Sequence, residues 1–424
     1  MEVKPGYKQT DVGVIPEDWE VCQVRQKGEV VTGKALAVNA PGPKRPYLRT
    51  KNVFDGRIDI DDVLTMPMTD EQFGQFRLRT GDVLLNEGQS LELIGRCAIY
   101  KDEYPEPCAI QNALLRFRAS AGVSETFASY LFRHCQQTGV FARIALQTTS
   151  VAHLGSSRFE RLCLAWPKAE AEQHAIATTL SDMDALLGEL NRLVAKKRQI
   201  KHGAMQELLT GQKRLPGFTG KWEAKRLGEV GTFLKGSGVT KLQAMSGELR
   251  CIRYGELYTR HNDYIKEFFS FISLVVALTA TPLKRGDILF AGSGETKEEI
   301  GKCAALIHEV EAYAGGDIVI LRTEGADPLF LGYYLNTPTI ARQKASRGQG
   351  DAVVHIGSSA LAAVQTKLPK PDEQSAIASI LSDMDADIAG LEAKLAKARL
   401  VKAGMMQELL TGKTRLVKPR EAAP

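Results

Sequence analysis

The sequence is poor in the features that mark secreted, metal-binding and membrane proteins. Seven cysteines are scattered over 424 residues, and no two of them form a Cys-x-x-Cys pair. A disulfide framework or a zinc site needs clustered cysteines, so we interpret these thiols as reduced and mostly buried in a cytoplasmic protein. The most apolar stretch, residues 268–283, is shorter than the roughly 20 residues of a membrane helix. We therefore expect no contact with a membrane.

Charge of one sign and catalytic signatures are equally scarce. Lys and Arg number 55 against 50 Asp and Glu, which gives a formal net charge of +5. This small excess permits a nucleic-acid partner but is far below the charge density of an electrostatic DNA packager. The sequence contains no P-loop, no His-Glu-x-x-His and no His/Cys cluster with metal-ligand spacing. We predict no catalytic residue, no metal site and no cofactor in this chain.

The chain contains an internal duplication, which is its strongest signal. Residues 173–185 read QHAIATTLSDMDA and recur at 374–386 as QSAIASILSDMDA, and the block QELLTG ends both copies. Both blocks are displaced by 201 residues, and 23 of 39 aligned positions are identical. Shared helical composition alone does not produce such identity, so the chain is built from two copies of one unit.

Each copy contains one long predicted helix. Mostly apolar residues recur at alternating steps of three and four, which is typical of the a/d seam of a coiled coil. The seam residues are Ile377, Leu381, Met384, Ile388, Leu391, Leu395, Ala398, Lys402, Met405 and Leu409 in the second copy and Ile176, Leu180, Met183, Leu187, Leu190 and Val194 in the first. A proline precedes each helix and a glycine follows it, as helix boundaries require. We predict spacer helices over 168–212 and 369–414 that pack antiparallel.

The segments before the helices are also related, but more weakly. Gly81-Asp-Val-Leu84 corresponds to Gly286-Asp-Ile-Leu289, and His153-Leu-Gly-Ser-Ser157 corresponds to His355-Ile-Gly-Ser-Ser359. Short β-branched runs broken by Gly, Pro and Asp surround these motifs, which is typical of mixed domains. The predicted fold class is α+β: two mixed α/β globules separated by two long antiparallel coiled-coil helices, with an internal pseudo-twofold repeat. The globules cover 1–167 and 213–368, and a tail covers 415–424.

This combination of motifs resembles the specificity subunit (HsdS) of a Type I restriction–modification system. The resemblance rests on the Glu172-Gln173 and Glu373-Gln374 helix starts, the Gln-Glu-Leu-Leu-Thr-Gly helix ends and the Gly-Asp-[Val/Ile]-Leu motifs, and it covers essentially the whole chain. It implies that the globules are target-recognition domains, each reading one half of an asymmetric, gapped site in double-stranded DNA.

The same resemblance implies a set of partners. The spacer helices would set the gap and dock two methyltransferase subunits, which bind S-adenosylmethionine and methylate adenine at N6. Restriction/motor subunits would join the full complex. This chain would itself be a non-catalytic specificity subunit.

Loops with several polar side chains are the candidates for reading base edges. The resemblance places such a loop before each His-x-Gly-Ser-Ser motif, over 143–150 and 342–349. The candidates on these loops are Arg143, Gln147, Thr148, Thr149 and Ser150 in the first globule and Arg342, Lys344, Arg347 and Gln349 in the second. Secondary candidates are Lys34, Arg49, Lys51, Lys235, Lys241, Arg253 and Tyr254. The histidines of the motif, His153 and His355, are predicted to be structural.

Two alternatives stay open at this point. One is a coiled-coil scaffold whose globules bind protein partners, although a scaffold has no need of two different polar loops. The other is a stand-alone methyltransferase, because Ala291-Gly-Ser-Gly294 resembles a Gly-rich cofactor loop. The repeat partner of that loop lacks the Gly-x-Gly pattern, and no Asp/Asn-Pro-Pro-Tyr/Phe tetrapeptide occurs in the sequence. A strand followed by a tight turn is the preferred interpretation of the loop.

Overall fold

Each long helix of the chain is shared between two structural units. The computed structural model describes residues 4–147, 150–350 and 353–417. Unit 1 comprises residues 1–191 and 394–424, and unit 2 comprises residues 192–393. This division follows contacts in space, so it differs from the consecutive globules and helices predicted from the sequence.

The globular part of unit 1 has a central antiparallel sheet. Its strands are β1 (Tyr7–Thr10), β2 (Gly13–Pro16), β3 (Trp19–Gln23), β4 (Gly28–Thr32), β5 (Lys44–Leu48), β6 (Val53–Phe54), β7 (Arg57–Ile58), β8 (Leu64–Pro67), β9 (Val83–Asn86), β10 (Gly88–Gln89), β11 (Cys97–Ile99), β12 (Ala109–Ile110), β13 (Leu114–Ala119), β14 (Leu146–Gln147), β15 (Ala152–His153) and β16 (Cys163–Pro167). Its helices are α1 (Asp70–Phe76), α2 (Glu125–Gln137), α3 (Val140–Ile144) and α4 (Ser156–Arg161). The central sheet has the strand order β11-β9-β13-β4, and α2 packs on it.

The remaining elements are the first long helix and those of the second copy. The long helix α5 is Glu170–Leu208. The strands of unit 2 are β17 (Glu223–Arg226), β18 (Gly231–Lys235), β19 (Leu249–Ile252), β20 (Ser270–Ile272), β21 (Thr281–Pro282), β22 (Asp287–Ala291), β23 (Ser293–Gly294), β24 (Cys303–Ala305), β25 (Ala312–Ala314), β26 (Ile318–Thr323), β27 (Val354–His355) and β28 (Gln365–Leu368). Its helices are α6 (Tyr254–Thr259), α7 (Leu274–Ala277), α8 (Pro328–Tyr334), α9 (Pro338–Ala345) and α10 (Ser358–Ala362), and the second long helix α11 is Pro371–Leu409.

The repeated Gly-Asp-[Val/Ile]-Leu motif leads into the equivalent strands β9 and β22 of the two central sheets. The sheet of unit 2 has the matching order β24-β22-β26-β18. Asp82 and Asp287 are almost fully buried, and each carboxylate accepts two hydrogen bonds from an arginine of the neighbouring strand. The Arg118–Asp82 distances are both 2.7 Å, and the Arg322–Asp287 distances are 2.9 and 2.8 Å. The motif recurs because a buried carboxylate needs a charged partner of fixed geometry.

The two long helices pack antiparallel within unit 1, as predicted. Rising residue numbers in α5 meet falling numbers in α11: Asp184 accepts a hydrogen bond from Lys402, and Asn191 accepts one from Arg399. Seam residues such as Ile176 lie in the same hydrophobic core as the end of α11. The core of unit 1 therefore needs residues from both ends of the chain.

Unit 2 repeats this arrangement with the roles of the helices exchanged. Lys201 of α5 binds Asp385 of α11 at 2.7 Å, and Lys197 binds Asp387 at 2.8 Å. The end of α5 and the start of α11 share one core, as the burial of the seam residue Leu381 shows. The predicted spans 168–212 and 369–414 enclose the observed helices with a few flanking residues.

The repeated glutamines at the helix starts attach each globule to its helix. The Gln173 side chain donates to the Pro167 carbonyl oxygen and accepts from the Ser124 N–H, both at 2.9 Å. Ser124 is the N-cap of α2, so one amide fixes the helix start, the preceding strand and α2 together. Gln374 makes the two equivalent bonds in unit 2, at 2.8 and 2.9 Å.

The repeated glutamates next to these glutamines pair with arginines from the opposite end of the repeat. Glu172 accepts hydrogen bonds from Arg415, and Glu373 accepts them from Arg214, with Nη2–Oε2 distances of 2.8 and 2.7 Å. The glutamate side chains are only 2% and 3% exposed. Each pair joins the start of one long helix to the segment that follows the end of the other, and we call these two pairs the helix clamps.

Unit 1 contains a second charged cluster, in which the numbers of positive and negative side chains are equal. Arg133 binds Asp55 at 2.7 Å and Asp184 at 3.3 Å, while Lys402 and the Tyr130 hydroxyl also donate to Asp184. Burial opposes the ionisation of Asp184, but the hydrogen bonds from Lys402 and Tyr130 hold its pKa below the ordinary value. Two carboxylates therefore face two cations.

The equivalent cluster of unit 2 has one cation fewer. Lys201 lies 2.7 Å from Asp385 and 3.8 Å from Asp263, and the neutral Asn336 is the other side chain that donates to Asp263, at 3.3 Å. Burial raises the pKa of Asp263, and the attraction of Lys201, the hydrogen bond from Asn336 and the weaker attraction of Lys302 offset this only in part. Unit 2 therefore carries a poorly compensated carboxylate.

We predict that Asp263→Asn raises the free energy of unfolding at pH 7, because it removes a carboxylate whose ionisation the folded state disfavours. The increase in the free energy of unfolding reaches its maximum at pH values above the raised pKa of Asp263. It shrinks as the pH falls through that pKa, since the wild-type carboxyl is then neutral as well. Urea titrations between pH 4 and 8 measure it.

Asp184→Asn is the matched control and has the opposite sign. The pKa of Asp184 is lowered in the folded state, so its ionised form stabilises the fold, and the substitution is expected to destabilise the protein at pH 7. Equal losses of stability in both variants would contradict the difference in charge balance between the clusters.

Candidate nucleic-acid interface

The predicted loop of unit 2 joins α9 to β27. Arg342 on α9 is exposed, and Gln349 is exposed and forms two backbone hydrogen bonds with His355, at 2.9 and 2.8 Å. The Arg347 guanidinium is half-buried, because it donates to the Gln343 carbonyl oxygen at 2.8 Å. Arg342 and Gln349 therefore present accessible donors, while Arg347 is partly held by its own helix.

The prediction that Lys344 contacts DNA is wrong for this structure. Lys344 is 1% exposed, its Nζ donates to the Gly301 carbonyl oxygen at 2.6 Å, and it lies 5.8 Å from the centre of the Phe290 ring. Burial lowers the pKa of its ammonium group. In unit 1, Phe141 packs against Gly95 where Lys344 packs against Gly301, so this position belongs to the core in both copies.

The predicted loop of unit 1 runs from α3 through β14 to β15. Arg143, Gln147 and Ser150 are exposed, and the Arg143 guanidinium donates to a helix-end carbonyl oxygen at 3.2 Å. Thr148 and Thr149 lie outside the described residues. β14 pairs with β15, and β15 pairs with β10, so the loop is the outer part of a small sheet.

The two motif histidines connect these loops to the ends of the central strands β9 and β22. The His153 Nδ1 lies 3.2 Å from the Glu87 carboxylate, and the His355 Nδ1 lies 2.8 Å from the Ser293 hydroxyl. Both contacts accompany backbone pairing of β15 with β10 and of β27 with β23. This geometry agrees with the predicted structural role, and it adds two positioning residues, Glu87 and Ser293, that sequence reasoning did not identify.

The secondary candidates of unit 1 differ in whether their side chains form ion pairs. Lys34 is exposed. Arg49 and Lys51 both bind the Asp62 carboxylate at 2.7 Å, and these cations lower the pKa of Asp62. A DNA contact by Arg49 or Lys51 would therefore have to compete with this surface pair.

The secondary candidates of unit 2 lie on β18, on the turn that follows it and at the start of α6. Lys235, Lys241 and Tyr254 are exposed, and Arg253 is half-buried at the start of α6. The last turn of α6 reaches β23 through the Tyr258 hydroxyl, which donates to the Ser293 carbonyl oxygen at 3.0 Å. The structure thus links α6 to the pairing of β23 with β27.

The Gly-x-Gly stretch of unit 2 has a packing explanation. Gly294 lies in β23, and a Cβ atom at this position would be 2.7 Å from the Tyr258 hydroxyl oxygen. Glycine is required here because α6 approaches the strand closely. The stretch is a strand and a turn in contact with α6, which agrees with the preferred interpretation of the sequence.

The described residues contain neither a membrane-spanning helix nor a metal-binding cluster. Over 4–147, 150–350 and 353–417, no helix is long and apolar enough to cross a membrane. In the same part of the chain, no three His, Cys, Asp or Glu side chains are grouped so that they could hold a metal ion.

Comparisons with known proteins identify the family. A family model of the Type I restriction modification DNA specificity domain matches residues 16–202 and 219–398. The chain is 27% identical to the putative type I restriction enzyme MjaX specificity subunit of Methanocaldococcus jannaschii over 436 residues, which cover 97% of each protein.

Solved structures of low sequence identity have the same fold. The S subunit of the Type-I restriction-modification system from M. genitalium has a TM-score of 0.57 and 15% identity, over 96% of this chain and 98% of that one. The HsdS subunit from Thermoanaerobacter tengcongensis has a TM-score of 0.52 and 17% identity, over 94% and 98%. Because the family model matches most of both copies, the chain belongs to the Type I restriction modification DNA specificity family, and the predicted resemblance to a specificity subunit is confirmed.

Proposed function

We propose that this chain is the non-catalytic specificity subunit of a Type I restriction–modification complex, in which each unit reads one half of an asymmetric, gapped DNA site. The observation that carries the proposal is the contrast within the repeat. The central sheets, helix clamps and histidine contacts are retained in both units, while the loops over 143–150 and 342–349 differ in sequence. Two different reading surfaces on one repeated scaffold match two different half-sites.

The partners follow from this role. The methyltransferase subunits supply S-adenosylmethionine and transfer its methyl group to adenine N6, and restriction/motor subunits join when the complex cleaves DNA. A coiled-coil scaffold, the alternative, does not require loops of different sequence on otherwise equivalent units. We assign the gap to the two long helices, because a rigid spacer fixes the separation of two half-sites.

The long helices share one exposed apolar position, which we assign to the docking of two copies of one partner. Ile200 in unit 2 and Val401 in unit 1 occupy the same position of the repeat, 201 residues apart. Their exposed fractions are 49% and 45%, although both are branched apolar side chains on a helix. An exposed apolar residue at both equivalent positions supports the docking of two methyltransferase subunits.

The proposal predicts one asymmetric, gapped, adenine-methylated motif in the genome of cells that contain this chain and its methyltransferase. Genome-wide mapping of N6-methyladenine, with and without the gene, measures it. A continuous motif, or a motif that persists after deletion of the gene, would exclude the proposed role.

Exchanging residues 342–349 for the loop of a related subunit is expected to change the half-site read by unit 2 and to leave the other half-site unchanged. The reason is that specificity resides in side chains that reach base edges. The matched control exchanges residues 143–150 and is expected to change the other half-site alone. Loss of both half-sites in either variant would mean that the loop supports folding or assembly instead.

Ile200→Glu and Val401→Glu are each expected to weaken methyltransferase docking at least about tenfold, because each buries an unpaired charge in an apolar contact. The variants should each retain one docked subunit, and the double variant none, as measured by mass photometry of the assembled complex. Glu207→Gln on the exposed surface of α5 is the control. Unaltered assembly in the double variant would place the docking surface elsewhere.

A further inference from the structure

Unit 2 exposes a group of large apolar side chains that neither the fold nor the predicted loop uses. We call it the apolar patch, and its members are Leu242, Met245, Leu274, Val275 and Leu278, with exposed fractions between 69% and 91%. Soluble domains rarely present such a cluster without a binding partner.

Two adjacent segments form the patch. Phe271 donates its N–H to the Ala244 carbonyl oxygen at 2.8 Å, and Ser246 donates its N–H to the Phe271 carbonyl oxygen at 3.1 Å. The Ser273 N–H then donates to the Ser246 hydroxyl at 3.0 Å, just before α7. These bonds hold the turn that carries Leu242 and Met245 beside α7.

The core beneath the patch is small and complete without it. It contains short side chains such as Val239, Ala244, Val276 and Ala277, all of which are buried. The larger side chains of the patch remain outside this core on the same two segments. Their exposure therefore does not stabilise unit 2 and needs another explanation.

The two segments that carry the patch are rich in basic residues. Residues 235–253 and 270–285 contain six basic residues and a single acidic one, Glu248. The basic residues are Lys235, Lys241, Arg250, Arg253, Lys284 and Arg285. Within the described part of the chain, none of the six forms an ion pair with a carboxylate. Apolar side chains among uncompensated cations complement DNA, which combines phosphates with apolar thymine methyl groups and base faces.

Unit 1 has no matching feature in its described residues. On its corresponding segments, Val38 is 93% exposed and Leu64 is 40% exposed, and no further large apolar side chain there is exposed. The basic residues Arg49 and Lys51 of that region are already paired with Asp62. The two units therefore differ here in chemistry, and any effect of the patch should be confined to one half-site.

We propose that Leu242 and Met245 are specificity-determining residues that contact the apolar surface of bases in the half-site read by unit 2. Lys241, next to Leu242 in the sequence, brings the turn to the phosphate backbone, and the two apolar side chains then meet thymine methyl groups or the face of an opened base step. This inference rests on the proposed function and adds a second reading surface to the loop over 342–349.

The test uses the assembled complex of this chain with its methyltransferase subunits. Leu242→p-benzoylphenylalanine is irradiated on an end-labelled duplex that contains the methylated motif, and we expect a cross-link to DNA that maps to the unit 2 half-site. Leu400, which is 75% exposed on α11, is the control position and is expected to give no DNA cross-link. A cross-link from position 242 to a methyltransferase subunit, or none at all, would overturn the inference.

A second arm measures affinity. The double variant Leu242→Ser, Met245→Ser is expected to bind the target at least about tenfold more weakly, with the same dependence on salt, because it removes no phosphate contact. Lys241→Ala is expected to lower the slope of log affinity against log salt concentration by about 0.9. Both side chains are exposed, so the thermal unfolding of the double variant should match the wild type.

Modified duplexes separate the two possible apolar contacts. If thymine methyl groups are read, replacing thymine by uracil in the unit 2 half-site weakens the wild type and has no effect on the double variant. If a base step is opened, the fluorescence of 2-aminopurine placed at that step increases when the wild type binds and does not increase when the double variant binds. Unchanged affinity of the double variant on the native duplex would refute the inference, whereas a wild-type complex that shows no sequence-specific binding would refute the proposed function.

Discussion

A buried carboxylate at the start of each long helix holds the architecture together. Glu172 and Glu373 are shielded from water and are neutralised by Arg415 and Arg214, which follow the ends of the opposite helices. Removing one partner of such a pair leaves an unpaired buried charge, which costs on the order of 3–5 kcal/mol. Each unit can therefore form only when residues from both halves of the chain meet. The adjacent glutamines add uncharged hydrogen bonds to the same junctions, so the recurring Glu-Gln pair is explained by folding alone and needs no role in binding.

The two copies differ at positions that take no part in the helix clamps or the glutamine hydrogen bonds. Inside, Arg133 of one unit is replaced by Asn336 in the other, and Phe141 is replaced by Lys344, so the second unit tolerates a weakly compensated carboxylate and a buried ammonium group. Outside, the loops before the motif histidines differ in sequence, RIALQTTS over 143–150 and RQKASRGQ over 342–349, and only unit 2 presents the apolar patch among its described residues. Two domains that read different half-sites need the same scaffold and different surfaces. Contacts to phosphates can be the same in both domains, whereas contacts to bases must differ.

The sequence predicts the parts of this structure that repeat or follow a period. The 201-residue offset and the a/d seam identify both long helices to within a few residues, because burial along a helix is a local property of the pattern. Long-range pairing is not local: Arg415 and Glu172 are 243 residues apart, and no periodicity connects them. The prediction for Lys344 is wrong because a polar side chain need not be exposed: its helical spacing from the buried Ile340 places it on the inner face of α9. The apolar patch cannot be predicted from the sequence for the converse reason, since only the folded chain shows that the apolar Leu242 remains outside the core.

The central claim is that the units read the bases and the long helices set the distance between the two readings. Inserting one heptad into both helices, after Asn191 in α5 and after Ala393 in α11, lengthens the spacer while keeping the seam in register. Mapping N6-methyladenine in cells with this variant tests the claim directly. The account predicts that the original motif disappears and that methylation occurs at the same two half-sites across a longer gap. Methylation of the original motif with its gap unaltered would contradict it.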